Sequence, residues 1–325
     1  MKRRKRNILG IFAPMVIFFL ICFSVHAEEG GGGHYMPGAT ASFIDALPGK
    51  PGLAIADFFN YYDASGSGKR YLYGGMIAGN LDVTAYSNTI LALYTMPEKI
   101  LGGYYTMGVA VPYVWADVKG HVHITGPGGA TITRSKSDSA DGFGDITVYP
   151  FMLGWSSLDG ELRYDVRLGI YVPTGEYEKG KLACLGKNYW TLEPAVSISY
   201  LSSKIGLELT AFAGVDFNSM NEDTDYQSGN QFHLDVTVAE HLPLFGGIIG
   251  LGANGFYYHQ MNGDSGDGAV LGDFEGYTLG VGPVLSYATK IWGRNLVTEI
   301  KWLSDIDVEK RLEGDNIWFK LAVLF

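Results

Sequence analysis

The sequence predicts an all-β protein: a transmembrane, antiparallel, up-and-down β-barrel of about twelve strands, preceded by a signal peptide and a short Gly/Pro-rich segment. Three observations predict it. Apolar residues alternate with a period of two along segment after segment. The connections alternate between short and long. Aromatic residues gather near the segment ends, where amphipathic rings meet a membrane–water interface.

Composition narrows the classes first. Of 325 residues, 47% are hydrophobic and 18% charged, and 45 are glycine. Such an apolar content excludes a disordered chain, and the glycines follow no Gly-X-Y period, which excludes collagen. Thirty-four acidic against 24 basic residues give a net charge of −10, so no nucleic-acid partner is expected.

Residues 1–27 read as a secretory signal peptide. Lys2-Arg3-Arg4-Lys5-Arg6 is the positive n-region, Ile8 to Val25 the apolar stretch, and Val25-His26-Ala27 puts small residues at −3 and −1 before Glu28. The apolar run is also long enough for an uncleaved anchor. Cleavage removes Cys22 and leaves Cys184 as a lone thiol, which supports neither an internal disulfide nor a site of paired thiolates.

Residues 28–52 are not a strand, because Gly30–Gly33, Pro37, Pro48 and Pro51 break any ladder. Two readings stand. The segment enters or caps the periplasmic end of the barrel, with His34 and Tyr35 meeting lumen residues, or it hangs as a periplasmic tail.

The barrel follows over 53–325. Its expected strands are 53–62, 80–95, 104–118, 144–155, 160–172, 188–200, 204–217, 230–241, 247–259, 275–289, 294–304 and 315–325. In the fifth, Leu162, Tyr164, Val166, Leu168, Ile170 and Val172 oppose Glu161, Arg163, Asp165 and Arg167, a separation that a helix would scatter. In the sixth, Leu192, Val196 and Ile198 oppose Glu193 and Ser197; in the seventh, Leu207, Leu209 and Val215 oppose Glu208 and Asp216. Phe232, Leu234, Val236 and Val238 then oppose His233 and Asp235, and Leu279, Val281 and Leu285 oppose glycines and Ser286. The last strand sets Ile317, Phe319, Leu321 and Val323 against Lys320, and ends in Phe325.

The expected long, extracellular connections are 63–79, 119–143, 173–187, 218–229, 260–274 and 305–314, rich in Gly, Ser, Asp and Asn; the short ones include 156–159, 201–203 and 242–246. A soluble sandwich has no reason to alternate them in step with strand parity. Ring girdles are expected from Tyr61, Tyr62, Tyr113, Trp115, Trp155, Tyr171, Trp190, Tyr200, Tyr257, Tyr258, Trp302 and Trp318.

About twelve strands enclose a lumen too wide for facing side chains to fill and narrower than a general porin's. Its wall would carry Arg163, Asp165, Arg167, Glu193, Glu208, Asp216, His233, Asp235, Glu299, Lys301 and Lys320. These are candidates for permeation, and equally for pairing with one another to brace the interior. His121 and His123 share a face in the longest connection, but two imidazoles without a third ligand do not make a metal site. The acidic loop residues Glu222, Asp223, Asp225, Asp264, Asp267 and Asp273 lack EF-hand spacing and read as solvated charge. No catalytic residue, metal or cofactor is assigned.

The opening Gly30–Gly33, His34-Tyr35 and Pro37-Gly38, the later Gly142-Phe143-Gly144-Asp145 and the terminal Phe325 together resemble the outer-membrane family labelled "MetA-pathway of phenol degradation". The resemblance covers most of the chain after residue 27. It implies a channel or transporter for small, often aromatic or hydrophobic, compounds, and brings no catalytic residues. A final strand ending in Phe325 also resembles the assembly signal of outer-membrane proteins, which implies the barrel assembly machinery as a partner. The expected setting is the outer membrane of a Gram-negative bacterium, among lipid and lipopolysaccharide.

The leading expectation is therefore passive passage of a small-molecule solute, not catalysis. The alternatives are an outer-membrane lipid hydrolase or surface protease, and a closed structural or surface-binding barrel. A hydrolase would need a nucleophile and base near the rim, and no His-x-Ser occurs after residue 27.

Overall fold

The computed structural model describes residues 32–73, 76–125, 131–270, 272 and 275–325, with side chains left aside over 67–79 and 121–134. The signal-peptide reading of residues 1–27 and the side chains of His121 and His123 lie outside what is described.

Thirteen strands form one antiparallel sheet: β1 (Gly52–Tyr73), β2 (Met76–Ile100), β3 (Gly103–Thr125), β4 (Thr131–Phe143), β5 (Ile146–Ser157), β6 (Leu162–Val172), β7 (Thr191–Leu201), β8 (Leu207–Asn218), β9 (Gln231–Leu244), β10 (Gly247–Gln260), β11 (Tyr277–Ile291), β12 (Arg294–Glu309) and β13 (Glu313–Leu324). Twelve of them close into a barrel. β1 pairs with β13 from Ala54–Leu324 to Ser65–Glu313, and β3 pairs directly with β5 over Tyr104–Ala110, leaving β4 outside the ring.

The strand count agrees with the alternation in the sequence, but the expected loops 63–79, 119–143 and 305–314 are in large part strand, β12 running to Glu309 and β13 starting at Glu313. β1 and β2 continue pairing to Tyr73–Met76, and β3 and β4 make a second hairpin, paired from Tyr113–Phe143 to Thr125–Thr131. Their Gly, Ser and Asp content lowers strand propensity, yet a hairpin that leaves the membrane can be polar on both faces. At Gly144 and Asp145 the partner of β3 breaks, and Gly144 N–H donates to Pro112 O at 3.0 Å.

The short connections carry their own signature. Leu101-Gly102, Phe245-Gly246 and Trp292-Gly293 are two-residue turns in which both residues have positive φ, between 50° and 80°. That is the mirror-image turn whose twist suits a hairpin, with glycine second. At the opposite end lie the long connections 173–190, 219–230 and 261–276.

Burial is inverted relative to a soluble protein. Val166, Val196, Val238, Leu251, Ile300 and Phe319 are exposed outward, while Asp165, Glu208, Asp235, Glu299, Lys301 and Lys320 are buried inside. The girdle expectation divides accordingly. Trp115, Trp190 and Trp302 face outward, whereas Trp318 and Tyr258 are buried, because each shares strand parity with inward residues such as Lys320 and Gln260.

Among the described residues two small apolar clusters pack inside. Ala64, Leu81, Val83, Val118, Leu182, Ala183 and Leu312 pack beneath the two long hairpins, against the loop 173–190. Ala41, Ala195 and Phe212 pack at mid-barrel around the N-terminal segment.

An arginine on the outer face tests this inversion. Val196→Arg, in the middle of β7, is expected to cost about 2–4 kcal/mol in a bilayer, read as a shift of the denaturant midpoint of the refolded barrel. Val196→Leu should leave the midpoint unchanged.

Candidate functional site in the lumen

Residues 32–51 run lengthwise through the barrel. Leu47 packs against Gly154 and Pro48 lies near Tyr104 at the short-turn end, while His34 meets Asp145 and Thr191 at the long-loop end. The segment therefore does not stop at the near mouth, as a cap would, but traverses the lumen. Tyr35, Ala41, Ser42 and Leu47 are buried.

Its course is set by two turns. Ala39 N–H donates to Met36 O at 3.1 Å across Pro37-Gly38, with Gly38 at φ +77°. Proline then a positive-φ residue is the type II pattern, and a Cβ on Gly38 would also strike Leu303 Cδ1 at 2.1 Å. In the second turn Asp45 N–H donates to Ser42 O at 2.8 Å, and Ser42 N–H returns a bond to Asp45 Oδ2 at 3.0 Å.

A segment with no strand partner leaves its main-chain groups to be satisfied by side chains, and the wall supplies them. Lys301 Nζ donates to Gly38 O (3.1 Å) and Thr40 O (2.9 Å), and Trp318 Nε1 to Pro37 O (2.8 Å). Thr237 Oγ1 donates to Ala41 O. Glu208 Oε1 accepts from Phe43 N–H at 2.7 Å. Asp235 accepts twice, from Gly38 N–H (2.9 Å) and from the Tyr35 hydroxyl (2.7 Å). Lys320 Nζ reaches both carboxylate oxygens of Asp45, at 3.0 and 2.9 Å.

The remaining candidates pair within the wall. Arg167 forks onto Asp165 (Nε–Oδ1 2.7 Å, guanidinium NH2–Oδ2 2.8 Å) and stands 5.1 Å over the Phe212 ring. Glu208 Oε2 contacts His241 Nε2 at 2.7 Å. Glu299 lies between Lys301 (3.4 Å) and Lys320 (3.2 Å). His233 Nε2 is 3.2 Å from Glu193 Oε1 and 3.6 Å from Asp216 Oδ1. Arg163 stands apart from these pairs, lining a cavity of about 30 Å³ with Leu47, Pro48 and Tyr104.

Aromatic faces complete the seat of the segment. The Tyr35 ring stacks on His233 (4.1 Å between centroids, 13°) and lies parallel to Tyr258 at 6.1 Å. His34 stacks on Tyr171 at 4.7 Å and meets Tyr189 edge-on at 5.2 Å.

Asp145 is the residue the sequence did not single out as a site. One oxygen accepts from Gly175 N–H at 2.9 Å; the other accepts from Lys187 N–H at 2.7 Å and contacts His34 Nε2 at 3.0 Å. It thus ties the loop 173–190 and the N-terminal segment to the break between β4 and β5. Thr191 Oγ1 lies 2.8 Å from His34 Nδ1 and itself donates to Asn218 Oδ1 at 2.6 Å, so the two side chains of the wall and the imidazole form one hydrogen-bonded chain. Burial alone would raise Asp145, but the His34 bond and charge and the two backbone N–H bonds hold it below the ordinary carboxylate value.

Other acidic loop residues divide between solvent and structure. Asp264, expected as solvated, is buried; it accepts from Tyr226 and, at Oδ1, from Gly229 N–H (2.9 Å) and Gln260 (2.6 Å).

A depressed carboxylate stabilises the folded state above its unfolded pKa of about 3.9 and loses that effect as pH falls through the lower folded value. Amide protection over residues 34–47, taken relative to the intrinsic exchange rate at each pH, is thus expected to stay high at neutral pH and to fall below about pH 4. Asp145→Asn should lower that protection at neutral pH and flatten its acid dependence.

The crystal structure of the COG4313 outer membrane channel from Pseudomonas putida F1 superposes with a TM-score of 0.64 at 12% identity, covering 90% of this chain and 100% of that one. The β domain of the Bordetella autotransporter BrkA gives 0.47 at 14% identity, over 85% of this chain and 100% of that one. The first of these shows the shared barrel fold. No curated protein matches the sequence. A family model does match, over residues 63–321, and the chain belongs to the family described as "Putative MetA-pathway of phenol degradation".

Proposed function

We propose that this protein is a passive outer-membrane channel for small molecules, closed at rest by its own N-terminal segment, with small aromatic compounds among its solutes. The observation that carries the reading is that the lumen is filled by one tethered segment. A ring of about twelve strands is too wide for wall side chains alone to fill, so withdrawal of residues 34–47 opens a polar passage walled by Asp165, Arg167, Glu208, Lys301 and Lys320. The short-turn end faces the periplasm and the long hairpins face outward, the arrangement of bacterial barrels.

The aromatic preference rests on the family description and on Tyr35. The side chain of Tyr35 is itself a phenol, stacked on His233 with its hydroxyl on Asp235. When the segment moves, it leaves a seat with one stacking face and one acceptor, suited to a free phenol.

Planar-bilayer conductance and liposome swelling with phenol, small sugars and ions test the proposal. Tyr35→Ala is expected to raise conductance several-fold, and deletion of residues 28–45 to raise it further. Asp235→Asn should lower uptake of phenol relative to sugars. Conductance and uptake unchanged in both Tyr35→Ala and the deletion would leave a permanently closed barrel and end the channel reading. Unaltered ion selectivity in Arg163→Ala and Arg167→Ala would remove those two residues from the pathway.

A further inference from the structure

We propose that Glu193, Asp216 and His233 form a binding site for one divalent transition-metal ion of the zinc class, built into the barrel wall beneath Tyr35. The three residues come from adjacent strands β7, β8 and β9, and one donor atom of each lies within 4.8 Å of the others. His233 Nε2 is 3.2 Å from Glu193 Oε1 and 3.6 Å from Asp216 Oδ1. Donors bound at about 2.1 Å in a tetrahedron stand about 3.4 Å apart, so these two separations match two edges of a zinc coordination shell. One imidazole and two carboxylates are ligands that zinc accepts.

The wall is shaped to hold the imidazole there. His233 lies opposite Gly214 in the β8–β9 register, and a Cβ at 214 would come within 2.5 Å of its Cε1 and 2.6 Å of its Nε2. Glycine alone leaves room for Nε2 to reach between the two carboxylates. Glu193 is oriented from behind by the Tyr171 hydroxyl, which donates to Oε2 at 2.9 Å and leaves Oε1 facing His233.

A second, independent observation points to a bound cation. Asp216 is fully buried and neither of its carboxylate oxygens accepts a hydrogen bond. The 3.6 Å contact to His233 is too long for one. Directly across the register sits Gln231, also fully buried, with both amide atoms lacking a partner. Four polar atoms left unsatisfied on one buried patch of wall are a penalty against the folded barrel that a ligand would remove. A dication satisfies the Asp216 carboxylate, compensates both negative charges, and leaves the amide oxygen of Gln231 or a water for the fourth position. Coordination requires neutral His233, so any proton on Nε2 leaves to solvent as the metal–nitrogen bond forms. The ion would stitch three strands together and stiffen the ring on which Tyr35 stacks.

The full chain, refolded in detergent with Zn²⁺ or Co²⁺ and passed through gel filtration, is the material for the test, its folding checked by the heat-dependent electrophoretic mobility of an intact barrel. Metal analysis is expected to find one ion per chain, and Co²⁺ to give the strong visible bands of a tetrahedral complex. His233→Gln and Asp216→Asn should weaken binding more than the roughly 10–100-fold that loss of an outer-shell partner costs. His121→Ala with His123→Ala should leave stoichiometry and spectrum unchanged. A folded wild-type barrel without stoichiometric metal, or metal retained by both His233→Gln and Asp216→Asn, overturns the site. Neither result bears on conductance, so this inference and the channel reading stand or fall separately.

Discussion

The constraint beneath the whole structure is that a strand in a membrane wall has two faces and only one of them meets lipid. The outward face must be apolar, and the inward one is then left to carry the polar residues the chain contains. In a ring of twelve strands those residues converge on a shared axis. Charges brought out of water need opposite charges and complete hydrogen bonding, because unpaired they would cost several kcal/mol each. The N-terminal segment is the answer this chain gives. Its free carbonyls accept hydrogen bonds from Lys301 and Trp318, its amides donate to Asp235 and Glu208, and Asp45 neutralises Lys320.

The dependence runs both ways. Residues 34–47 contain no helix or strand, so apart from the two turn bonds Ala39 N–H to Met36 O and Asp45 N–H to Ser42 O their main-chain groups find no main-chain partner within the segment. In water they would be solvated; in the lumen they are held by lysine, threonine and carboxylate side chains from β8, β9, β12 and β13. Segment and wall each supply what the other lacks. Around them the inner surface divides into nearly self-contained units: the Arg167–Asp165 fork, the lysine pair about Glu299, the Glu208–His241 contact, and the His233 cluster.

The wall was legible in the sequence because its period of two is imposed residue by residue. Val166 and Asp165 face opposite ways in any regular strand, and both lie as expected. The long hairpins were not legible: outside the bilayer no face need be apolar, so Ser135, Lys136, Ser137 and Asp138 extend as strand without the alternation that marks one. Trp318 departs from the girdle for a related reason: its ring suggests an interface, but its parity with Lys320 places it inside. The partners of the N-terminal segment were hidden altogether. They depend on which wall residues lie at a given depth, and depth follows from strand register around the ring, which no single segment encodes. Asp145 could have been noticed as an acid at a glycine-flanked break between two strands, a position where its oxygens can reach loop amides.

Gly52 joins the lumenal segment to β1, and β1 is the strand that meets β13. A Cβ on Gly52 would lie 2.5 Å from the Phe325 carbonyl oxygen, and Phe325 N–H donates to Leu53 O at 2.8 Å. The seam of the ring is thus its pairing of greatest sequence separation, the kind that forms late because the intervening chain must be ordered first. An extended cord with Tyr35 and Phe43 projecting from it would have to be drawn end-on through a finished cylinder. Laid against a sheet still open at that seam, it needs no threading. A sheet that wraps before its edges meet closes with the cord inside, and one whose edges meet first would leave it out.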